Sequence, residues 1–371
     1  MDLIDYCCPE CFVDEIAKRV IREQCNEDLS ECPLCGAKDV RGVRVAPESD
    51  LAEQIESMLD VFAPISYIPE TDRPFMEQAS LYNAFLKTWP VLKEVGTELF
   101  EKLIRSLFPD DERIERMFVE GVVLAPERGE KRIKDFSFFG EKTWDDFSEE
   151  IKHRHRYCFE IKNSDVLDNV LRSLEREISA DSVWYRARRW NIKDGQRPTF
   201  SDLCEPPCEK AGEGRMSPKG IACLYLASDV RTALAEIRAM VHDKVAVMCL
   251  QPKHSLKILD LSRIDKISPF LLNAECAELA SNTNNLKRIK AELARPMRSN
   301  DDPIEYIPTQ FIADRAKSLG FDGIGFESVM GKSDTDLGYN LACFTSAESG
   351  FFEQGIKMHQ ITSIEYDYNL A

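Results

Sequence analysis

No apolar run in this sequence approaches the about 18–20 residues that a membrane-spanning helix requires, so no span is expected. An excess of positive charge is missing too. Lysine and arginine number 48 against 65 aspartates and glutamates, for a formal net charge of −17. A chain of that sign offers no broad surface to nucleic acid or to an anionic membrane, although a small basic pocket remains compatible with it. The opening MDLIDYCCPE is acidic and has no apolar stretch, so no secretory signal is expected and the cytoplasm is the expected compartment. Internal repeats and low-complexity tracts do not stand out. What remains is an ordinary globular composition, 43% hydrophobic and 30% charged over 371 residues, with room for two or three domains.

Cysteine is present in quantity, at 13 residues. In a reducing compartment, paired cysteines point to metal or redox chemistry rather than to disulfides. Cys8-Pro9-Glu10-Cys11 and Cys32-Pro33-Leu34-Cys35-Gly36 are two C-x-x-C knuckles. Two such pairs complete a tetrahedral site for structural Zn²⁺ through Cys8, Cys11, Cys32 and Cys35, with Cys7 able to displace Cys8. The plainer alternative is a set of free buried thiols. Cys204 and Cys208 lie at C-x3-C spacing, but two ligands do not close a site. Residues 1–50 therefore read as a zinc-knuckle module, with a helix over Val13–Gln24 between the knuckles.

From Leu51 the pattern turns helical, and residues 51–180 read as a helical domain. Leu51, Ile55, Met58 and Leu59 share a face, as do Leu99, Leu103 and Leu107. Asn163–Ile178 reads as a further helix with Val166, Val170, Leu171, Leu174 and Ile178 inward. Residues 181–371 then alternate short strands with helices without a regular βαβ period, which favours an α+β sheet. Val183–Arg189 alternates as a strand, placing Arg186 and Arg188 on one face and Tyr185 on the other. Helices are expected over Pro269–Ala280, Asn285–Leu293 and Gln310–Leu319, and a closing strand over Ile361–Tyr366.

The stretch Gly214–Arg238, GRMSPKGIACLYLASDVRTALAEIR, organises this second half. Two tight turns lead into a buried strand over Ile221–Ala227. Ser228 or Asp229 then caps a helix whose inward stripe is Val230, Ala233, Leu234 and Ile237. Glu236 lies beside that stripe, as a catalytic carboxylate or as a solvated helix glutamate.

These residues resemble the RES domain family. Its pattern runs Y-R-A, G-R-x-x-P-x-G-x-x-x-L-Y-x-A, A-L-x-E, and F-D-G-I with a nearby serine. Here the matches are Tyr185-Arg186-Ala187, then Gly214-Arg215 with Pro218 and Gly220, and Leu224-Tyr225-Leu226-Ala227. Ala233-Leu234-Ala235-Glu236 and Phe321-Asp322-Gly323-Ile324 with Ser328 follow in order. Met216-Ser217 departs from the aromatic-Asn pair that the family most often has after Gly-Arg. The helical region resembles the HEPN-like segment found before some RES domains. None of the five histidines has an arginine at the HEPN nuclease spacing, so that RNA chemistry does not carry over; oligomerisation, sensing or restraint of the RES domain are its expected roles.

The resemblance implies an ADP-ribosyltransferase-like fold acting on NAD+. Breaking the bond from ribose to nicotinamide develops positive charge on the sugar. The resemblance assigns Glu236 to that charge and Arg186 to the pyrophosphate, supported by Arg215 and with Arg188 as rival. Tyr225 is assigned to stack on nicotinamide, and Ser328 to hydrogen-bond the amide or ribose, with Ser346 as rival. The expected activity is NAD+ cleavage by water or phosphate, in the setting of a bacterial toxin–antitoxin or defence system with a cognate antitoxin or regulatory partner. Protein ADP-ribosylation from the same site and a catalytically quiet NAD-sensing module are the alternatives.

Overall fold

The computed structural model of the chain describes residues 3–71, 73, 77–124, 127–128, 131–190, 196–270, 276–295, 302–328 and 338–364. The chain divides into two compact units. Met1–Glu141, Ile161–Val166 and Lys266–Asn284 form the first; Lys142–Glu160, Leu167–Asp265 and Asn285–Ala371 form the second.

The first unit begins with strands β1 (Tyr6–Cys7), β2 (Glu27–Glu31) and β3 (Lys38–Arg44), an antiparallel sheet in the order β1-β3-β2. Helix α1 (Glu15–Gln24) lies between the first two strands in sequence. It starts two residues later than expected because Asp14 accepts a hydrogen bond from the Ala17 N–H, an N-cap that leaves Val13 outside. Helices α2 (Asp50–Leu59), α3 (Leu81–Thr88), α4 (Thr97–Leu107) and α5 (Glu112–Glu120) follow, with strands β4 (Phe62–Pro64) and β5 (Val122–Leu124) paired among them. Ser49, Ser80 and Asp111 cap α2, α3 and α5 with their side-chain oxygens. The predicted face of α2 is buried: Leu51, Ile55, Met58 and Leu59 all lie in the core. The Phe85 and Phe100 rings pack 5.3 Å apart between α3 and α4. Strands β6 (Glu127–Arg128) and β7 (Lys131–Arg132) form a short pair.

Helices α6 (Trp144–His153) and α7 (Ser164–Ser173) precede the main sheet. Its strands are β8 (Glu175–Ile178), β9 (Trp184–Arg189), β10 (Leu224–Ala227), β11 (Lys244–Pro252), β12 (Leu256–Asp260), β13 (Gly323–Glu327), β14 (Tyr339–Cys343) and β15 (Phe351–Gln360). They lie in the order β15-β11-β9-β10-β14-β13-β12-β8. Only the β12–β13 pair is parallel among the described ladders of this sheet, as an α+β fold requires. Helices α8 (Phe200–Leu203), α9 (Val230–Glu236), α10 (Cys276–Ala294), α11 (Ile307–Ser318) and α12 (Ala347–Gly350) complete the chain. Leu224, Leu226, Ala246, Met248, Ile258 and Leu341 build the core on one sheet face.

Four sequence expectations change. The helix expected over Asn163–Ile178 stops at Ser173, and Glu175–Ile178 is an edge strand antiparallel to β12. Leu174 and Ile178 are four apart, a spacing that fits two strand periods as well as one helical turn. The strand expected from Ile221 begins at Leu224, because Ile221 N–H still donates to the Pro218 carbonyl and extends the turn. The two helices expected near 269–293 become the single α10; residues 271–275 lie outside the described residues. The closing strand is Phe351–Gln360 rather than Ile361–Tyr366, of which 365 and 366 lie outside the described residues. It pairs along β11 at the sheet edge, with six of its ten residues exposed, so it lacks an apolar signature.

Gly325 packs where no side chain fits: a Cβ there would lie 1.9 Å from the Tyr339 hydroxyl and 2.8 Å from Ile258 Cδ1. Gly325→Ala should lower unfolding stability by about 1–3 kcal/mol. Urea titration checks this as a lower midpoint at unchanged slope. An unmoved midpoint would mean that Tyr339 swings aside freely.

Candidate functional site

In the first unit the four expected thiols converge. Cys8, Cys11, Cys32 and Cys35 have sulfurs within 4.8 Å of one another, and the first three are buried. The Cys8–Cys35 and Cys11–Cys32 sulfurs are 3.5 Å apart, and Cys8–Cys11 3.9 Å. Tetrahedral Zn–S bonds of about 2.3 Å put sulfurs about 3.8 Å apart, so the donor set fits Zn²⁺. Crowding divides the thiols electrically. Hydrogen bonds from the Cys11 thiol and from the Cys35 and Leu34 N–H groups draw Cys32 down to about 4. Burial, with the Cys35 thiol beside it, pushes Cys8 up to about 12. Cys7 is also buried, but it is not one of the four.

In the second unit Glu236 is the last residue of α9, whose start Asp229 caps by accepting from the Thr232 N–H. The Glu236 side chain is exposed, yet two buried donors hold one of its oxygens. Ser328 Oγ and Asn340 Nδ2 each donate to Oε1 at 2.6 Å, and these residues are 1% and 5% exposed. Ser328 follows β13 and Asn340 lies on β14, so one hairpin supplies both donors. The helix approaches that hairpin closely: a Cβ on Gly338 would stand 2.3 Å from Thr232 Oγ1, one turn before Glu236. The result is a fixed carboxylate whose Oε2 has no hydrogen bond among the described residues and opens to a cavity. Asn340 was not singled out from sequence. Its signal is a lone polar residue inside the run Tyr339-Asn340-Leu341-Ala342-Cys343, where a buried amide needs a partner.

The cavity, of about 700 Å³, opens where the sheet separates. Strand β10 pairs with β14 at all four residues but with β9 at Ala227–Tyr185 alone. Strand β9 meanwhile pairs with β11 from Trp184 to Arg189. Arg186 occupies the gap: Nη1 donates to the Tyr225 carbonyl at 3.0 Å and Nη2 to the Cys204 carbonyl at 3.5 Å. Its buried Nε has no partner among the described residues. Burial, with Arg188 alongside, pushes the guanidinium below its ordinary value, but an arginine remains charged. Cross-strand partners share a face, so Tyr185, Ala227, Asn340 and Phe326 line one side. Arg186 and Arg188 lie on the other, as their alternation predicts. Both faces border the cavity because it lies at the parting. Arg188 Nη1 donates to the Asp202 carbonyl.

Tyr225 is 38% exposed, but its hydroxyl lies against the turn at Gly214. A Cβ on Gly214 would come within 3.0 Å of that oxygen, and burial raises the phenol above its ordinary value. The ring lines the cavity while the hydroxyl anchors against the Gly214–Ser217 turn. Arg215 is buried in that turn. Its Nη1 donates to the Glu292 and Leu293 carbonyls at 3.2 Å, satisfying the open C-terminal end of α10. Ser346, the rival of Ser328, caps α12 and does not line the cavity. Among the described residues, five arginines (Arg186, Arg188, Arg215, Arg238, Arg295) and three glutamates (Glu213, Glu236, Glu327) line the cavity, so there an acidic chain keeps a cationic lining.

A family model, the RES domain, matches residues 183–369. No curated protein matches the chain. Among solved structures, the chain is similar to one described as the crystal structure of the M. tuberculosis MbcT-MbcA toxin-antitoxin complex. Identity is 13%, the match covers 53% of this chain and 93% of that one, and the TM-score is 0.31.

Arg215→Ala strips the Glu292 and Leu293 carbonyls of a donor in a buried setting. Unfolding stability should fall by about 1–3 kcal/mol, measured by denaturant titration. Full stability in that variant would free Arg215 from its helix-capping role.

Proposed function

The chain belongs to the RES domain family, and from that premise we propose that it consumes NAD+, breaking the bond between ribose and nicotinamide with water or phosphate as acceptor. The observation that carries the reading is Glu236, exposed to the cavity yet held on one oxygen by Ser328 and Asn340. As the glycosidic bond breaks, positive charge grows at the ribose C1′. A carboxylate already oriented needs no reorganisation to stabilise that charge, and its Oε2 can accept from a ribose hydroxyl. Ser328 and Asn340 act through Glu236 by fixing its position. The exposed Tyr225 ring offers a stacking face to the cationic nicotinamide. Arg186 offers positive charge to the pyrophosphate, with Arg188 on the same face. Their described hydrogen bonds go to backbone carbonyls rather than to carboxylates.

The family resemblance extends the proposal to a toxin restrained by a cognate antitoxin. Within it, residues 1–50 form a module organised by one structural Zn²⁺ on Cys8, Cys11, Cys32 and Cys35. Residues 51–180 supply a helical module, apart from the edge strand β8 that joins the main sheet, and 181–371 carry the chemistry.

Glu236→Gln keeps the shape and removes the charge. It should cost about 10²–10³ in kcat, with KM and thermal stability little changed. Steady-state NAD+ consumption, with and without phosphate, reads both the loss and the acceptor. A folded Glu236→Gln protein that turns over at the parent rate would sink the assignment. For the metal, elemental analysis of reduced protein should return one zinc per chain. Cys8→Ser should lose that zinc and loosen the N-terminal module to proteolysis, because a closed site couples metal to folding.

A further inference from the structure

The helix that carries Glu236 ends on an uncommon residue. Ile237 caps α9, and Arg238 follows at φ +50°, in the left-handed region. Arg238 N–H donates to the Ala235 carbonyl at 2.9 Å, and Ala239 N–H to the Leu234 carbonyl at 3.2 Å. These are the paired bonds of a Schellman ending, whose left-handed position usually belongs to glycine because any Cβ there is crowded. Neighbouring bonds hold the arginine in place. Arg189 Nη2 donates to the Arg238 carbonyl, and Arg189 Nε pairs with Asp243 Oδ2 at 3.0 Å. The same Asp243 oxygen accepts from Met240 N–H at 2.8 Å. His242, a second left-handed residue at φ +74°, donates its N–H to the Ile361 carbonyl at 2.9 Å.

A segment with two strained residues and this much bracing is over-determined, and such strain persists mainly where a site needs it. Arg238 lines the cavity two residues beyond Glu236. Among the described residues no carboxylate pairs with its guanidinium, whereas Arg186, Arg188 and Arg215 already donate to carbonyls.

We propose that Arg238 binds a phosphate of the dinucleotide, and that the left-handed backbone is retained because it carries an arginine to the cavity where glycine would be the relaxed choice. The proposal rests on the NAD+ reading above. The chemistry is direct: a planar guanidinium matches phosphate oxygens with two parallel donors. The pyrophosphate is attached to the same ribose that Glu236 addresses, so a cation beside Glu236 meets the substrate at its phosphate end. The interaction exists before and during bond cleavage, so it should act on binding rather than on the chemical step.

The test uses the full chain with Arg238→Gly, Arg238→Asn and Arg238→Lys. Asparagine tolerates the left-handed region without charge, which keeps a readout if the glycine variant folds poorly. Arg238→Gly should melt no lower than the parent while KM for NAD+ rises about tenfold or more and kcat stays within about threefold. ADP-ribose, which carries the pyrophosphate without the scissile bond, should bind about tenfold more weakly to Arg238→Gly and Arg238→Asn, with part of that loss restored in Arg238→Lys. Unchanged ADP-ribose affinity in the uncharged variants would overturn the proposal. So would a loss confined to kcat, which would mean that Arg238 acts by orienting Glu236. A parent protein that consumes NAD+ while its Arg238 variants bind normally defeats this inference alone. A parent that neither consumes NAD+ nor binds ADP-ribose defeats the reading beneath it as well.

Discussion

Everything distinctive in the second unit depends on one broken ladder. Strands β9 and β10 are neighbours in an eight-stranded sheet, yet they share a single residue pair, Tyr185 with Ala227. Separating strands leaves backbone groups without their usual partners, a cost that buried groups do not tolerate. Arg186 meets part of that demand by donating to the Tyr225 carbonyl. The same side chain therefore holds the edge of the opening and charges its wall. An opening through a sheet, rather than beside one, also explains how residues of opposite strand parity border one cavity.

The carboxylate end is arranged on a different principle. Glu236 comes from a helix terminus, where its backbone is set by the turn that follows, and its side chain is fixed by donors from a hairpin. The Ser328 hydroxyl and the Asn340 amide both turn a donor toward the same carboxylate oxygen, so the two hydrogen bonds fix its orientation together. The cysteine cluster in the first unit is the reverse case. Four like groups converge, and their crowding draws the Cys32 thiol down while burial pushes the Cys8 thiol up. A divalent ion would turn that mutual repulsion into cohesion.

Much of this was legible in the sequence, and what was not has physical reasons. The two knuckles announce their convergence because C-x-x-C spacing fixes each pair locally. The face shared by Arg186 and Arg188 follows from strand alternation. The position of Glu236 at the end of a capped helix follows from Asp229 and the apolar spacing after it. Asn340 escaped because its meaning lies in a contact across 104 residues, and nothing local separates a site amide from a tolerated one. β8 escaped because a four-residue spacing serves both helix and strand. The capping role of Arg215 escaped because α10, whose carbonyls it satisfies, is remote in sequence.

The hairpin that holds Glu236 has a temporal consequence. Phe326 lies opposite Asn340 and Glu327 opposite Tyr339, which sets Asn340 toward the carboxylate. A slip of one residue would exchange Asn340 for a neighbour of the opposite face and withdraw its amide. Arg186, Glu236, Ser328 and Asn340 are also strung over more than 150 residues of chain. A growing polypeptide at the ribosome thus carries Arg186 and Glu236 long before Ser328 and Asn340 arrive to fix the carboxylate. Strand β14 brings the last of the four, so the carboxylate gains its second donor only when Asn340 has been made.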